Sequence, residues 1–183
     1  MDLLKYDGCI NTFSGSKLSF IEPKPEQINV LDIARGLAFK AHFGGQTKNY
    51  FSIAQHSILV CDLMPLTLRN NPAMCLVALF HDASEAYTGD MVKPLKNLLP
   101  EFKVIEDRIT KVIFEKLGLD LELLKIVKPY DIEAQKIEYS NFYGDMNTLY
   151  YQNPIRSNDA FLERFDFYTA KLQRGLIQEP RNL

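Results

Sequence analysis

The chain has 183 residues, 46% of them hydrophobic and 24% charged, and its 21 Lys and Arg against 23 Asp and Glu leave a formal charge of -2. This is ordinary globular composition, which excludes a disordered or collagen-like chain and lacks the positive surplus of a DNA coat or a polybasic membrane anchor. A chain of this size buries roughly 70% of the surface its unfolded form exposes, so it needs no disulfide or structural metal to fold, and any metal is suspected of chemistry.

Residues 1–26 read as a loop-rich leader. Gly8, Gly15, Pro23 and Pro25 stand among Asn, Thr and Ser, and Thr12-Phe13-Ser14-Gly15 has the form of a turn between short extended pieces. The acidic start, with Asp2 and Asp7, lacks the basic and apolar segments of a secretory signal. From residue 27 the pattern turns helical: Ile28, Ile33, Leu37, Ala38 and Ala41 predict a first helix over 27–42, interrupted by Gly44-Gly45. Ser52 followed by Gln55 is a capping box, predicting a second helix to about residue 64, before Pro65. Asn71-Pro72 and Gly89 bracket a third over 72–87, whose stretch 74–80 is apolar on every side, as a central helix requires.

A connector between Pro94 and Pro100 carries Lys96, with Lys93 just before it. Phe102, Ile105, Ile109, Val112, Ile113 and Leu117 then predict a fourth helix over 101–117, stopped by Gly118. A further helix is expected after Pro129, carrying Asp131, Ala134, Ile137 and Glu138. The last is expected from Ser157 or Asn158, with Phe161, Phe165, Tyr168 and Leu172 as a stripe that suits core or subunit contact better than base stacking. No segment alternates with period two for long, no repeat is visible, and no apolar run approaches the ~20 residues of a membrane helix. The expectation is an all-α single domain, with the leader at 1–26 and a helical bundle at 27–183. Cys9, Cys61 and Cys75 form no Cys-x-x-Cys pair, which fits buried thiols in a reducing, cytoplasmic compartment.

Of the three histidines, His56 and His81 fall on predicted helices amid apolar neighbours. Core histidines and metal ligands both occupy such places. His81-Asp82-Ala83-Ser84-Glu85 sets three ionisable groups within about one turn, directly after the most apolar part of the chain. Burying Asp82 or Glu85 unpaired would cost several kcal/mol, and no Lys or Arg lies between Asn71 and Met91. A divalent cation answers that need. Adjacent side chains diverge by roughly 100° around a helix, so further ligands must come from other helices, and His56 and Asp131 are the candidates. Two imidazoles and two carboxylates suit Zn, Co, Mn or Fe with positions left for water and substrate.

The order His56, His81-Asp82, Asp131 resembles the HD-domain phosphohydrolases. The surrounding blocks Thr12-Phe13-Ser14-Gly15, Phe43-Gly44-Gly45, Tyr50-Phe51-Ser52-Ile53-Ala54-Gln55-His56-Ser57, Leu79-Phe80-His81-Asp82-Ala83-Ser84-Glu85-Ala86-Tyr87-Thr88-Gly89-Asp90 and Lys93-Pro94-Leu95-Lys96 are similar to small bacterial 5′-deoxynucleotidases and phage dATP triphosphohydrolases, over roughly residues 10–145. The resemblance implies a helical HD fold with His56, His81, Asp82 and Asp131 as ligands of a divalent metal, Mg included. It also implies Glu85 and Asp90 as acid and base, and Lys96 as a phosphate contact with Lys93 beside it. Relatives often carry an arginine before Phe-Gly-Gly. His42 stands there instead, so Arg35 and Lys48 join His42 as candidate substrate contacts.

The implied activity is deoxynucleotide hydrolysis by an activated water, on a dATP-type triphosphate or, as the alternative, a monophosphate. A non-catalytic nucleotide-binding module is the competing class. The expected partner is a small nucleotide rather than a nucleic acid or a membrane, with association into a homo-oligomer. Plainer readings stand beside these: His56 as a core histidine, Asp131 as an N-cap after Pro129, Glu85 as a solvated residue, Asp90 as a cap, and Lys93 and Lys96 as surface charges.

Overall fold

The structure is a computed structural model that describes residues 8–178. A two-stranded antiparallel hairpin, β1 (Cys9–Asn11) and β2 (Lys17–Ser19), opens it with Ile10 opposite Leu18. The rest is helical: α1 (Val30–Phe39), α2 (Ile53–Leu63), α3 (Leu66–Arg69), α4 (Pro72–Phe80), α5 (Glu85–Thr88), α6 (Lys93–Lys96), α7 (Pro100–Leu117), α8 (Leu124–Phe142) and α9 (Pro154–Gln178). The all-α expectation holds. The leader turn is tied down by Asp32 of α1, which accepts hydrogen bonds from the Ser14 amide at 2.6 Å and hydroxyl at 2.7 Å.

Helix α4 is the axis of the core, as its all-round apolarity implies. Every residue from Met74 to Phe80 is buried, and α2, α8 and α9 pack around it. Phe80 meets Phe161 and Phe165 of α9 edge-on at centroid distances of 5.3 and 5.7 Å. The stripe on α9 is therefore core at Phe161 and Tyr168. Helix α1 lies against α9 and α5. Its close approach to α5 depends on Gly36, where an added Cβ would stand 2.5 Å from the Ala86 carbonyl oxygen.

The start signals act as expected at α2, where Ser52 Oγ accepts from the Gln55 amide at 3.2 Å and the Gln55 side chain returns to the Ser52 amide at 3.3 Å. Four boundaries differ from the sequence reading. Helix α1 is shorter, because Asn29 caps it and the chain turns extended at Lys40 before the tight turn His42–Gly45. The expected helix over 72–87 breaks after Phe80. His81 directs Nδ1 to the Ala78 carbonyl at 2.8 Å, the acceptor that an unbroken α-helix would offer to the Asp82 amide. The chain then runs on through tighter three-residue bonds such as Glu85 amide to Asp82 carbonyl, 2.9 Å.

Pro129 lies inside α8 rather than at its start. Burial of Val127, with Leu123 and Leu124 packed on the core, offsets the amide bond that the proline forfeits. Finally, α9 starts at Pro154, with the Asn153 side chain accepting from the Arg156 amide at 3.0 Å. That is the same Asn-Pro signal that starts α4.

Candidate metal centre and its pocket

Four candidate ligands from distant stretches of chain converge. His56 comes from α2, His81 and Asp82 from the turn after α4, and Asp131 from the middle of α8. His56 Nε2 stands 3.3 Å from His81 Nε2, 3.3 Å from Asp131 Oδ1 and 3.6 Å from Asp82 Oδ2. His81 Nε2 lies 3.1 Å from Asp82 Oδ2 and 3.8 Å from Asp131 Oδ1. A tetrahedral ion bonded at about 2.0–2.1 Å holds its ligand atoms about 3.3 Å apart, so this donor set fits a metal. Asp131 is not a helix cap: it is buried seven residues into α8.

The fold turns both Nε2 atoms inward. His81 is held through Nδ1 by the Ala78 carbonyl. His56 is held through Nδ1 by Glu138 Oε1 at 2.7 Å. His42, His56 and Glu138 form a second acid–imidazole group that could in principle hold an ion. Here, however, 2.7 Å is a hydrogen-bond length, shorter than the roughly 3 Å that separates neighbouring ligand atoms even around an octahedral ion at about 2.1 Å. Hydrogen bonding is the better description of that side.

Charge explains the titration of the cluster. Burial opposes a proton on His56, but Glu138 and Asp131 attract one, and its pKa rises. His81 rises well above the usual imidazole value, with Asp82 and Asp131 outweighing burial. Asp82 and Asp131 fall well below the carboxylate range, because the facing imidazoles, joined by Lys128 at Asp131, overcome their desolvation. Gln135 also donates to Asp131 Oδ1 at 2.7 Å. Positive charge is needed at the point where the four side chains meet, and protons or a cation can supply it.

Beside this centre opens a cavity of about 600 Å³ lined by Asp82, Glu85, Asp90, Lys93, Lys96 and Asp131 among others. Glu85 is buried, not solvated; Oε1 receives a 3.3 Å hydrogen bond from Lys96, and Oε2 has no hydrogen-bond partner among the described residues. Burial, then Asp82 and Asp90, raise its pKa well above the usual carboxyl value. Lys96 also donates to Glu106 Oε1 at 3.0 Å, which makes it a bridge between two acids rather than a free surface charge. Asp90 Oδ2 is held by His42 Nδ1 at 3.0 Å and the Gly44 amide at 3.3 Å. Although burial works the other way, these contacts lower the pKa of Asp90.

His42 lines the cavity, but its nitrogens face Asp90 and Glu138, the latter at 3.3 Å. Neither is turned to a substrate. Burial opposes its charge, yet these two acids hold its pKa at about 10. Arg35 and Lys48 do not line the cavity. Arg35 stacks on Phe39 at 3.5 Å from the ring centroid and on Phe13 at 4.9 Å. Lys103 and Lys128 line it instead, so with Lys93 and Lys96 four lysines belong to the lining.

Sequence reasoning gave no role to Glu138 or Glu106, yet a signal existed. Val127, Asp131, Ala134, Glu138 and Phe142 form one buried stripe on α8, with two acids in it. Glu106 likewise interrupts the buried stripe of α7. An acid at a core position of a helix marks a charge that must be met from across the interface.

No helix among the described residues is long and apolar enough to cross a membrane. No family model matches the chain. It is 37% identical over 123 residues to the uncharacterized protein YfdR of Escherichia coli, an alignment covering 67% of this chain and 66% of that protein. It is 35% identical over 142 residues to the uncharacterized protein RCAP_rcc00048 of Rhodobacter capsulatus, covering 72% of this chain and 71% of that protein.

Proposed function

The chain belongs to the protein family of RCAP_rcc00048 and YfdR, and we propose that it is a metal-dependent phosphohydrolase of the HD-domain type that acts on deoxynucleotides, with a dATP-type deoxynucleoside triphosphate as substrate. The observation that carries this reading is the convergence of His56 Nε2, His81 Nε2, Asp82 Oδ2 and Asp131 Oδ1 beside a cavity that Asp82, Asp131 and four lysines line. These four residues would hold a divalent cation, whether Zn, Co, Mn, Fe or Mg, which would supply a Lewis acid for a phosphoryl oxygen and a water of lowered pKa.

The chain's own groups supply the rest. Glu85 Oε2, buried and without a hydrogen-bond partner among the described residues, accepts a hydrogen bond from the attacking water and takes its proton. Burial, with Asp82 and Asp90 nearby, raises the pKa of Glu85 and makes it a stronger base than an ordinary carboxylate. Lys96, fixed between Glu85 and Glu106, turns its remaining donor to the transferred phosphoryl group, whose negative charge it offsets. Asp90 has a lowered pKa and stays ionised, so it positions the leaving group or its water rather than donating a proton. Lys93, Lys103 and Lys128 also line the cavity, Lys103 paired with Asp107 and Lys128 with Asp131, and are the groups within reach of further phosphates.

A merely nucleotide-binding module has no use for a buried carboxylate with a free oxygen beside the centre, which favours the enzyme. The test is purified protein incubated with Mn, Co or Zn and a panel of nucleotides. Asp82→Ala should lose both bound metal and product formation, and unchanged activity would end the proposal. Tripolyphosphate as the product supports the triphosphate reading, whereas activity restricted to monophosphates assigns the chain to the 5′-deoxynucleotidase alternative.

A further inference from the structure

We propose that Glu138 is the positioning residue of the metal centre, holding His56 with its proton on Nδ1 so that Nε2 presents a lone pair to the metal. This inference rests on the metal reading given above. Glu138 lies on α8, seven residues after Asp131, so one helix face carries both a candidate ligand and the support of another. The residue is wholly buried, and its Oε1 accepts from His56 Nδ1 at 2.7 Å. An ionised carboxylate is acceptor only, so the imidazole that meets it must keep its proton on Nδ1. Its other nitrogen is the atom that faces His81, Asp82 and Asp131. For His81 the Ala78 carbonyl does the same work.

The second oxygen of Glu138 extends the arrangement. Oε2 stands 3.3 Å from His42 Nε2 in a charge contact too poorly aligned for a hydrogen bond, and neither atom has a better partner among the described residues. His42 in turn holds Asp90. One buried carboxylate thus braces a ligand of the centre on one side and a cavity acid on the other. Removing the charge of a buried carboxylate leaves its partners uncompensated whatever its role, so the melt alone does not separate a structural from a positioning Glu138. Metal affinity and the state of the His56 ring do.

The experiment compares the metal-stripped full chain with Glu138→Gln and Glu138→Asp. Metal affinity is measured with Co²⁺, Mn²⁺ and Zn²⁺ alone, in competition with a chromogenic chelator, beside the thermal melt of each metal-free protein. Glu138→Gln should bind about 10- to 100-fold more weakly, its metal-free melt falling because His42 and His56 lose a buried counter-charge, and Glu138→Asp should recover part of the loss in affinity. In Zn²⁺-loaded parent labelled with ¹⁵N-histidine, the Nδ1 proton of His56 should lie strongly downfield and move upfield in Glu138→Gln, while those of His42 and His81, held by Asp90 and the Ala78 carbonyl, keep their places.

Affinity within threefold of the parent in both variants would overturn the positioning role while leaving the metal centre standing. If one variant fails to fold, the other decides by the same criterion. A parent that binds none of the three cations would instead overturn the metal reading itself, and this inference with it.

Discussion

Replacing Glu85 with Gln should slow catalysis and stabilise the fold at the same time. The carboxyl is buried, its Oε1 meets Lys96, and burial together with Asp82 and Asp90 raises its pKa well above the ordinary 4.5. The ionised form is therefore penalised in the folded chain, and at neutral pH that penalty is subtracted from stability. Each unit of the rise is worth about 1.4 kcal/mol, and each kcal/mol moves the melting temperature of a chain this size by about 2–4 °C. Glutamine keeps the shape and an acceptor for Lys96 but carries no charge. Metal-free Glu85→Gln should melt above the parent at neutral pH, and the difference should shrink towards zero as pH falls below 4.5, where both side chains are neutral. Loss of the base should lower turnover by about 100- to 10,000-fold with bound metal retained. Scanning calorimetry across pH, metal analysis and a phosphate-release assay read all three. A variant that melts below the parent at neutral pH, or that keeps turnover within tenfold, would refute this assignment of Glu85.

His42 leads to a prediction of opposite sign. Its folded pKa of about 10 lies above the ordinary 6.5, so its stabilising contribution is complete below pH 6.5 and is lost as pH rises through about 10. At about 1.4 kcal/mol per unit the loss has an upper bound of about 5 kcal/mol, readable as a falling urea midpoint of the metal-free chain and flattened in His42→Gln. Gly36→Ala should destabilise by about 1–3 kcal/mol, because the new Cβ would meet Ala86 backbone at 2.5 Å. A melt unchanged by this substitution would show that α1 and α5 can separate freely.

Those elements also mark how far the sequence could be read. The apolar run 74–80 can only be a central helix, and the capping box at Ser52 and Gln55 fixes where α2 begins and so where His56 points. The four candidate ligands were legible because charged groups next to an apolar helix, with no lysine nearby, demand a partner. What the sequence hid was three-dimensional. Whether His42 faces a substrate depends on the backbone after α1, where Phe43, Gly44 and Gly45 take positive φ and turn the imidazole inward to Asp90 and Glu138. Arg35 is a candidate that spacing alone does not decide; its guanidinium stacks on Phe13 and Phe39 and does not line the cavity. Lys128 went unnoticed because Pro129 was read as a helix start, which put its neighbour in a loop instead of on the face beside Asp131.

Charge balance links the fold to the proposed chemistry. Asp82, Glu85, Asp90, Glu106, Asp131 and Glu138 are met by the three imidazoles and two lysines, Lys96 and Lys128 being the lysines among the described residues that pair with members of this group through their side chains. So many acids in a low-dielectric setting hold their charge only if the imidazoles carry protons or a cation takes their place. The three histidines are not equivalent in this respect. His56 and His81 meet the acids through the nitrogens that would coordinate a metal, so a bound cation displaces their protons. His42 touches no candidate ligand atom of the centre and keeps its proton between Asp90 and Glu138. Loading with metal should therefore remove the alkaline loss of stability that belongs to His56 and His81 and leave the share that belongs to His42. The metal-loaded chain should be less pH-dependent than the metal-free one, but not flat, and His42→Gln should account for what remains.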